Sequence, residues 1–179
     1  MRVAARSERA ELVAAYDADP ARAAAAAAEH GGEPVPSLRA LAERVDAAIV
    51  AVPTTFHAEA GCALLEAGVD VLVEKPIAPG LDSARRLVET AASRGRILQV
   101  GHLERFNPAV RALAQAVRLP LFFEIHRLST FTPRSLDVDV LLDLMIHDID
   151  IVLSLVKTMP EEIRAAGISI LSPKVDIAN

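Results

Sequence analysis

The residues best equipped for proton chemistry are Lys75, which closes an apolar run in Glu74-Lys75-Pro76, and Asp143, His147 and Asp150, which recur further on at helical spacing. At about 100° per residue on a helix over 139–156, Asp139, Asp143, His147, Asp150 and Ser154 fall within a wedge of roughly 80°. Nearly everything else in that stretch is Leu, Ile, Val or Met. A narrow acidic stripe on an apolar cylinder differs from the broad basic face of a surface helix, and it predicts a helix that lines a cleft. Carboxylates in a partly closed cleft need a cation or donors close by, because left unpaired they are costly or take up a proton. Lys75 is the candidate cation.

Composition sharpens that choice. Only three of the nineteen Lys and Arg residues are lysines, Lys75, Lys157 and Lys174, so arginine carries the general surface charge. A lysine ammonium is compact and its pKa moves with burial, which suits proton handling in a way that a permanently charged guanidinium does not. The bland alternative is a solvated lysine in a turn closed by Pro76.

A chain of 179 residues with 52% hydrophobic content has enough apolar side chains for a real core. The net charge of −5 and the absence of basic clusters interleaved with aromatics exclude a nucleic-acid groove. No apolar run approaches the roughly 18 residues of a membrane span, and the first residues lack the charged-then-apolar pattern of a secretion signal. Cys62 is the single cysteine, which removes an internal disulfide, argues against two-cysteine metal patterns and makes a reducing cytoplasm the simplest home.

Those residues need a scaffold. Over residues 11–102 short apolar runs alternate with helical periods, the mark of a parallel sheet covered by helices, within a dinucleotide-binding domain expected at 1–102. Strands are expected at 11–16, 47–52, 69–74 and 97–100, with a weaker one near Val35. Helices are expected from near Pro20, Ser37, Thr55 and Asp82, each with an Asp, Ser or Thr suited to capping, and Gly68 and Gly95 end two of them. The alanine-rich run 21–28 reads as an outer helix. Over 103–179 a helix near 108–117, a strand near 120–128, a polar connection through Pro133, the striped helix and a strand near 163–171 resemble the opening of an α+β domain. The fold class expected is therefore α/β, an incomplete Rossmann-type parallel sheet followed by part of an open-sheet domain.

A doubly wound sheet binds ligands at the carboxyl ends of its strands. Asp17, Pro53-Thr54-Thr55, Glu74-Lys75-Pro76 and Gly101-His102 lie there. Asp17 stands where a carboxylate accepts from the adenosine ribose and favours NAD over NADP. Capping is its dull alternative, but Asp19 before Pro20 is better placed for that. All eight glycines lie at or after Gly31, so no glycine loop precedes Asp17. The expectation is a chain that begins after the first strand and its loop, roughly 20–30 residues in, and stops within a strand of the second domain.

The segments AIVAVPTTFHAEAGCALLEAGVDVLVEKPIAPGLDSARRLVETA, ILQVGHLERFNPAV and DLMIHDID together resemble the glucose-fructose oxidoreductase, inositol dehydrogenase and rhizopine-catabolism (Gfo/Idh/MocA) family. The resemblance implies hydride transfer between a sugar hydroxyl and NAD(P), and an open sheet that supports homo-oligomers. It implies catalytic roles for Lys75, Asp143 and His147: His147 as base, Asp143 orienting its imidazole, Lys75 donating to the reacting oxygen. Pro53, Thr54, His57, Glu74, Lys75 and Pro76 are implied at the cofactor, and Arg105, Asn107 and Asp150 on the substrate side. A surface histidine is the alternative for His57, and an interdomain ion pair for Arg105. Met145 stands where many relatives carry glycine.

GHLERFNPAV and SPKVDIAN are similar to a branch that oxidises the 3-hydroxyl of UDP-N-acetylglucosamine, where Arg105 could meet a diphosphate bidentately. A polyol dehydrogenase is the alternative within the enzyme class. A non-catalytic dinucleotide-binding relative, or an inactive fragment, is the alternative outside it.

Overall fold

The computed structural model describes residues 1–130 and 138–179 and divides into two compact units. The first comprises Met1–Val52, Phe56–Val73 and Gly80–Gln99; the second comprises Pro53–Thr55, Glu74–Pro79 and Val100–Asn179.

In the first unit a short helix α1 (Arg2–Ala5) precedes β1 (Ala14–Ala15), α2 (Pro20–His30), β2 (Glu33–Pro34), α3 (Leu38–Ala42), β3 (Ala47–Val50), α4 (His57–Glu66), β4 (Asp70–Val73), α5 (Leu81–Arg94) and all but the last residue of β5 (Leu98–Val100). β1 pairs parallel with β2, and β3 pairs parallel with β4 in the register Ala47↔Asp70 to Val50↔Val73. The second ladder runs β3-β4-β5. These ladders match the 3-2 and 4-5-6 portions of the doubly wound order 3-2-1-4-5-6. No element among the described residues takes the place of strand 1.

Residue type explains most element ends. Asp19 Oδ1 accepts from Ala21 N at 2.9 Å with Pro20 opening α2, and Ser37 Oγ accepts from Ala40 N at 3.1 Å. Gly95, at φ +60, ends α5 in the left-handed region that glycine enters without steric cost. Two expected caps do not form. Thr54–Phe56 make a 3₁₀ turn ahead of α4, and Gly80 holds the cap position of α5, so Asp82 lies one position inside the first turn, where its charge suits the helix dipole.

The core of this unit lies where α4 meets α5 and β4. Leu64, Leu65, Val69, Val73 and Leu87 are almost wholly buried. Gly61 permits that approach: a Cβ there would stand 2.6 Å from Leu87 Cδ2.

The second unit contains α6 (Pro108–Ala116), a π-helical turn Leu141–Met145 running into α7 (Ile146–Val156), and an antiparallel pair, β6 (Gly167–Ile168) with β7 (Ile177–Ala178). The expected strand at 120–128 is not formed. Its Leu121, Phe122 and Leu128 are 87%, 81% and 92% exposed, and without a ladder partner an apolar run stays outside regular secondary structure. The strand expected at 163–171 shortens to β6 for the same reason. The polar connection at Pro133 lies outside the described residues. The apolar side of α7 borders an open cavity of about 1030 Å³, lined by Leu144, Ile149, Val152 and Leu153 among others; neither Lys75 nor His147 lines it.

Candidate functional site

The chain leaves β4 at Val73 into Glu74, Lys75 and buried Pro76, the Lys75–Pro76 bond being cis. Lys75 Nζ donates to Asp143 Oδ1 at 2.8 Å and to the Asp143 backbone carbonyl at 2.7 Å. Both side chains are largely sheltered, at 22% and 31% exposure. Asp143 sits in the π-helical turn, where the Ile146 N–H reaches back five residues to the Leu141 carbonyl. Such turns concentrate at functional sites, and here the turn presents a carbonyl to a side chain from elsewhere in the chain.

His147 follows one turn later. No partner hydrogen-bonds its buried Nδ1. Its pKa is held below the ordinary imidazole value, first by desolvation and then by the Lys75 and Arg127 charges, against the opposing pull of Glu104 and Asp148. An imidazole so placed is neutral near pH 7 and has a nitrogen available for a proton. The expectation that Asp143 orients this ring is corrected. Among the described residues Asp143 bonds Lys75 and not His147: the ammonium gives its Oδ1 a charge-assisted partner and also donates to its backbone carbonyl.

Asp150 is engaged by Arg105 in a bidentate fork, Nε to Oδ2 at 2.8 Å and Nη2 to Oδ1 at 2.6 Å, and His102 Nδ1 lies 3.9 Å from Oδ1. The Asp150 carboxylate is only 10% exposed. The Arg105 hydrogen bond holds its pKa below the usual carboxylate range, and burial opposes this. This pair lies within one unit, so the interdomain alternative for Arg105 does not hold, and the fork that would grip a diphosphate is already occupied. Asn107 caps α6, its Oδ1 accepting from Ala109 N at 3.0 Å while its amide donates to Glu104. Glu74 crosses Gly101 closely enough that a Cβ there would stand 2.8 Å from its Oε2.

Pro53 is exposed and Thr54 buried, both in the second unit. Asp17 and His57 belong to the first. Asp17 is half-buried beyond β1, its Oδ1 accepting from Asp19 N at 2.9 Å, while Asp19 takes the cap as expected. His57 is 1% exposed with Nε2 2.9 Å from the Val52 carbonyl, which excludes the surface alternative.

The ends of the acidic stripe do local work: Asp139 Oδ1 accepts from Leu142 N and Ser154 Oγ donates to the Ile151 carbonyl. Asp148 and Arg127 escaped the sequence reading. They form a second fork, Nε to Oδ2 at 2.9 Å and Nη2 to Oδ1 at 2.8 Å. A carboxylate on the apolar side of the helix was the available signal, since it needs a cation.

Among the described residues no cluster of three His, Cys, Asp or Glu side chains is arranged to hold a metal, and no helix is long and apolar enough to cross a membrane. The donor set is compatible with a nicotinamide and an alcohol: an ammonium whose charge acts on an imidazole with an unpartnered nitrogen.

Residues 1–102 match the model of an oxidoreductase family with an NAD-binding Rossmann fold. The chain is 39% identical over 169 residues to a UDP-N-acetylglucosamine 3-dehydrogenase of Acidithiobacillus ferrooxidans, covering 94% of this chain and 54% of that protein. It is 36% identical over 153 residues to inositol 2-dehydrogenase 2 of Saccharopolyspora erythraea, covering 79% and 45%. The chain thus spans about half the length of the curated relatives it matches. A solved structure of the Acidithiobacillus ferrooxidans UDP-N-acetylglucosamine 3-dehydrogenase superposes with a TM-score of 0.88 over 94% of this chain and 56% of that one, at 39% identity. A 3-ketoreductase from Actinomadura kijaniata, solved with NADP and TDP-benzene, superposes at 0.59 over 63% and 35%, at 34% identity.

Proposed function

Because the chain belongs to this oxidoreductase family with an NAD-binding Rossmann fold, we propose that it serves hydride transfer between a secondary hydroxyl of a nucleotide sugar and NAD. His147 takes the hydroxyl proton as general base, its neutral imidazole being suited to that at pH 7. Lys75 donates to the same oxygen and stabilises the negative charge that develops as the O–H bond breaks. Asp143 holds the ammonium in place from two directions. A bound nicotinamide ring would accept the carbinol hydride, so that with the hydroxyl proton taken by His147 the alcohol gives up two electrons and two protons in all and becomes a ketone. The single observation that carries this reading is the Lys75–Asp143 contact next to an imidazole with an unpartnered nitrogen.

NAD rather than NADP follows from Asp17, whose carboxylate accepts from a ribose hydroxyl and repels a 2′-phosphate. Pro53, Thr54, His57, Glu74 and Pro76 complete the cofactor side. The substrate assignment, with UDP-N-acetylglucosamine first, is supported by the identity to a dehydrogenase of that name; the similarity to an inositol 2-dehydrogenase favours a polyol as the second reading. Asp150, Arg105 and Asn107 shape the substrate side, with Asp150 fixing Arg105 so that only its outward N–H groups meet a ligand.

The test offers UDP-N-acetylglucosamine and inositol in turn, each with NAD or NADP, to the full chain and follows the absorbance of reduced nicotinamide. Turnover with UDP-N-acetylglucosamine and NAD is expected. Equal kcat/KM for the two cofactors removes the Asp17 assignment, preference for inositol transfers the protein to the polyol class, and binding of dinucleotide without turnover defeats the enzyme reading. The expected homo-oligomer is checked by the mass of the full chain in solution.

A further inference from the structure

We propose that Arg127 and Asp148 are positioning residues for His147: their fork ties segment 121–130 to α7 and neutralises the carboxylate that adjoins His147 in the chain. This rests on the reading of His147 as the base.

Three carboxylates on the helix flank His147, at Asp143, Asp148 and Asp150, and each meets a cation from a different part of the unit. Lys75 from the loop after β4 takes Asp143, Arg105 from the 3₁₀ turn Leu103–Phe106 takes Asp150, and Arg127 takes Asp148. Glu104, on the same 3₁₀ turn as Arg105, adds its charge to the field at His147, and its carboxylate bonds the Asn107 amide rather than a cation. His102 is turned to Asp150. Asp148 is therefore the carboxylate next to the base in sequence, and Arg127 is its partner. Both are sheltered, at 14% and 34% exposure, and the contact is bidentate, so Coulomb attraction is weakly screened and the geometry defined.

Removing Arg127 has two consequences. Asp148 keeps its charge without a partner and favours the protonated form of His147, so the base is lost at a higher pH than in the intact protein. The segment around Phe122 and Leu128, which makes no strand ladder, also loses an anchor to the helix. Only the first is reversed by neutralising Asp148 as well.

The test is an NMR titration of the His147 ring in the full chain, alongside the pH profile of kcat/KM. In Arg127→Gln the His147 pKa should rise, and kcat/KM at pH 6 relative to pH 8.5 should fall about threefold or more. Arg127→Lys should recover part of this, and the Arg127→Gln/Asp148→Asn double variant should return the titration toward wild type. Asp148→Asn alone should lower the pKa and serves if Arg127→Gln does not fold. A His147 titration that moves in neither single variant overturns the pairing as a tuning device. His147→Ala with full turnover defeats the base reading instead, and leaves the titration result standing.

Discussion

Lys75 Nζ bonds both the carboxylate and the backbone carbonyl of Asp143, a residue 68 positions further along the chain. A double contact of this kind fixes the ammonium more tightly than an ion pair alone, since the carbonyl cannot rotate away with the side chain. Lys75→Met should therefore lower kcat by about 10²–10³-fold, the range for removing one preorganised stabiliser of developing charge. Dinucleotide affinity, read by fluorescence titration, should change little. Wild-type kcat in this variant would falsify the role given to Lys75.

The same ammonium acts on His147. Desolvation, Lys75 and Arg127 together hold the imidazole pKa below the ordinary value of 6.5. A base works when deprotonated, so the acid limb of kcat/KM should lie below pH 6.5 and activity should be lost only as pH falls through that lowered value. In Lys75→Met the residual activity should show its acid limb at higher pH, because one of the charges disfavouring imidazolium has gone. An acid limb that stays put, or moves down, counts against His147 as the titrating group.

How far this site was legible follows from how local each determinant is. Asp19 and Ser37 could be read as caps because a short oxygen-bearing side chain satisfies nearby N–H groups whatever the rest of the fold does. The strands at 47–52 and 69–74 were legible as apolar runs between helical periods, and they appear as β3 and β4. Lys75 and Asp143 were nameable as partners because a sheltered carboxylate demands a cation. What was hidden depends on departures from ideal geometry or on distant partners. A uniform 100° step overlooks the π-turn at Leu141–Met145 and puts Asp148 on the wrong side of the helix to matter. Residues 120–128 have strand composition but no ladder among the described residues. The link from Asp176 to three backbone N–H groups has no periodic signature at all.

That link carries its own prediction. Asp176 Oδ2 accepts from the N–H groups of Ile170, Leu171 and Ser172 at 2.8, 2.7 and 3.0 Å, while Ser172 Oγ donates to Oδ1 at 2.7 Å. The Ser172 hydroxyl first, and then the backbone donors, bring the carboxyl pKa down from 3.8 to about 2. A depressed folded-state pKa contributes stability that is complete above the unfolded value and is lost as pH falls through the folded one. Hydrogen exchange at amides 170–172 should thus stay protected down to about pH 4 and weaken toward pH 2. In Asp176→Asn the protection should be lower at neutral pH and lose that acid dependence. Protection identical in the two proteins at pH 5 removes the carboxylate as the cause.

Gly101 offers the sharpest test of the cofactor side. Its φ lies outside the left-handed region, so alanine is permitted by the backbone; the constraint is Glu74, whose Oε2 and carboxyl carbon would lie 2.8 and 3.3 Å from the new methyl. Those atoms end a rotatable side chain, so Gly101→Ala should displace the Glu74 carboxylate at a cost of about 1 kcal/mol or less rather than unfold the protein. If Glu74 helps hold the dinucleotide, Kd for NAD should rise roughly tenfold, equivalent to about 1.4 kcal/mol, while a cooperative urea transition is retained. Gly80→Ala is the control, because no atom lies within 4 Å of a Cβ built there. A Gly101→Ala protein that binds NAD as tightly as the control takes Glu74 out of the cofactor site and leaves Lys75 as the contribution of that loop.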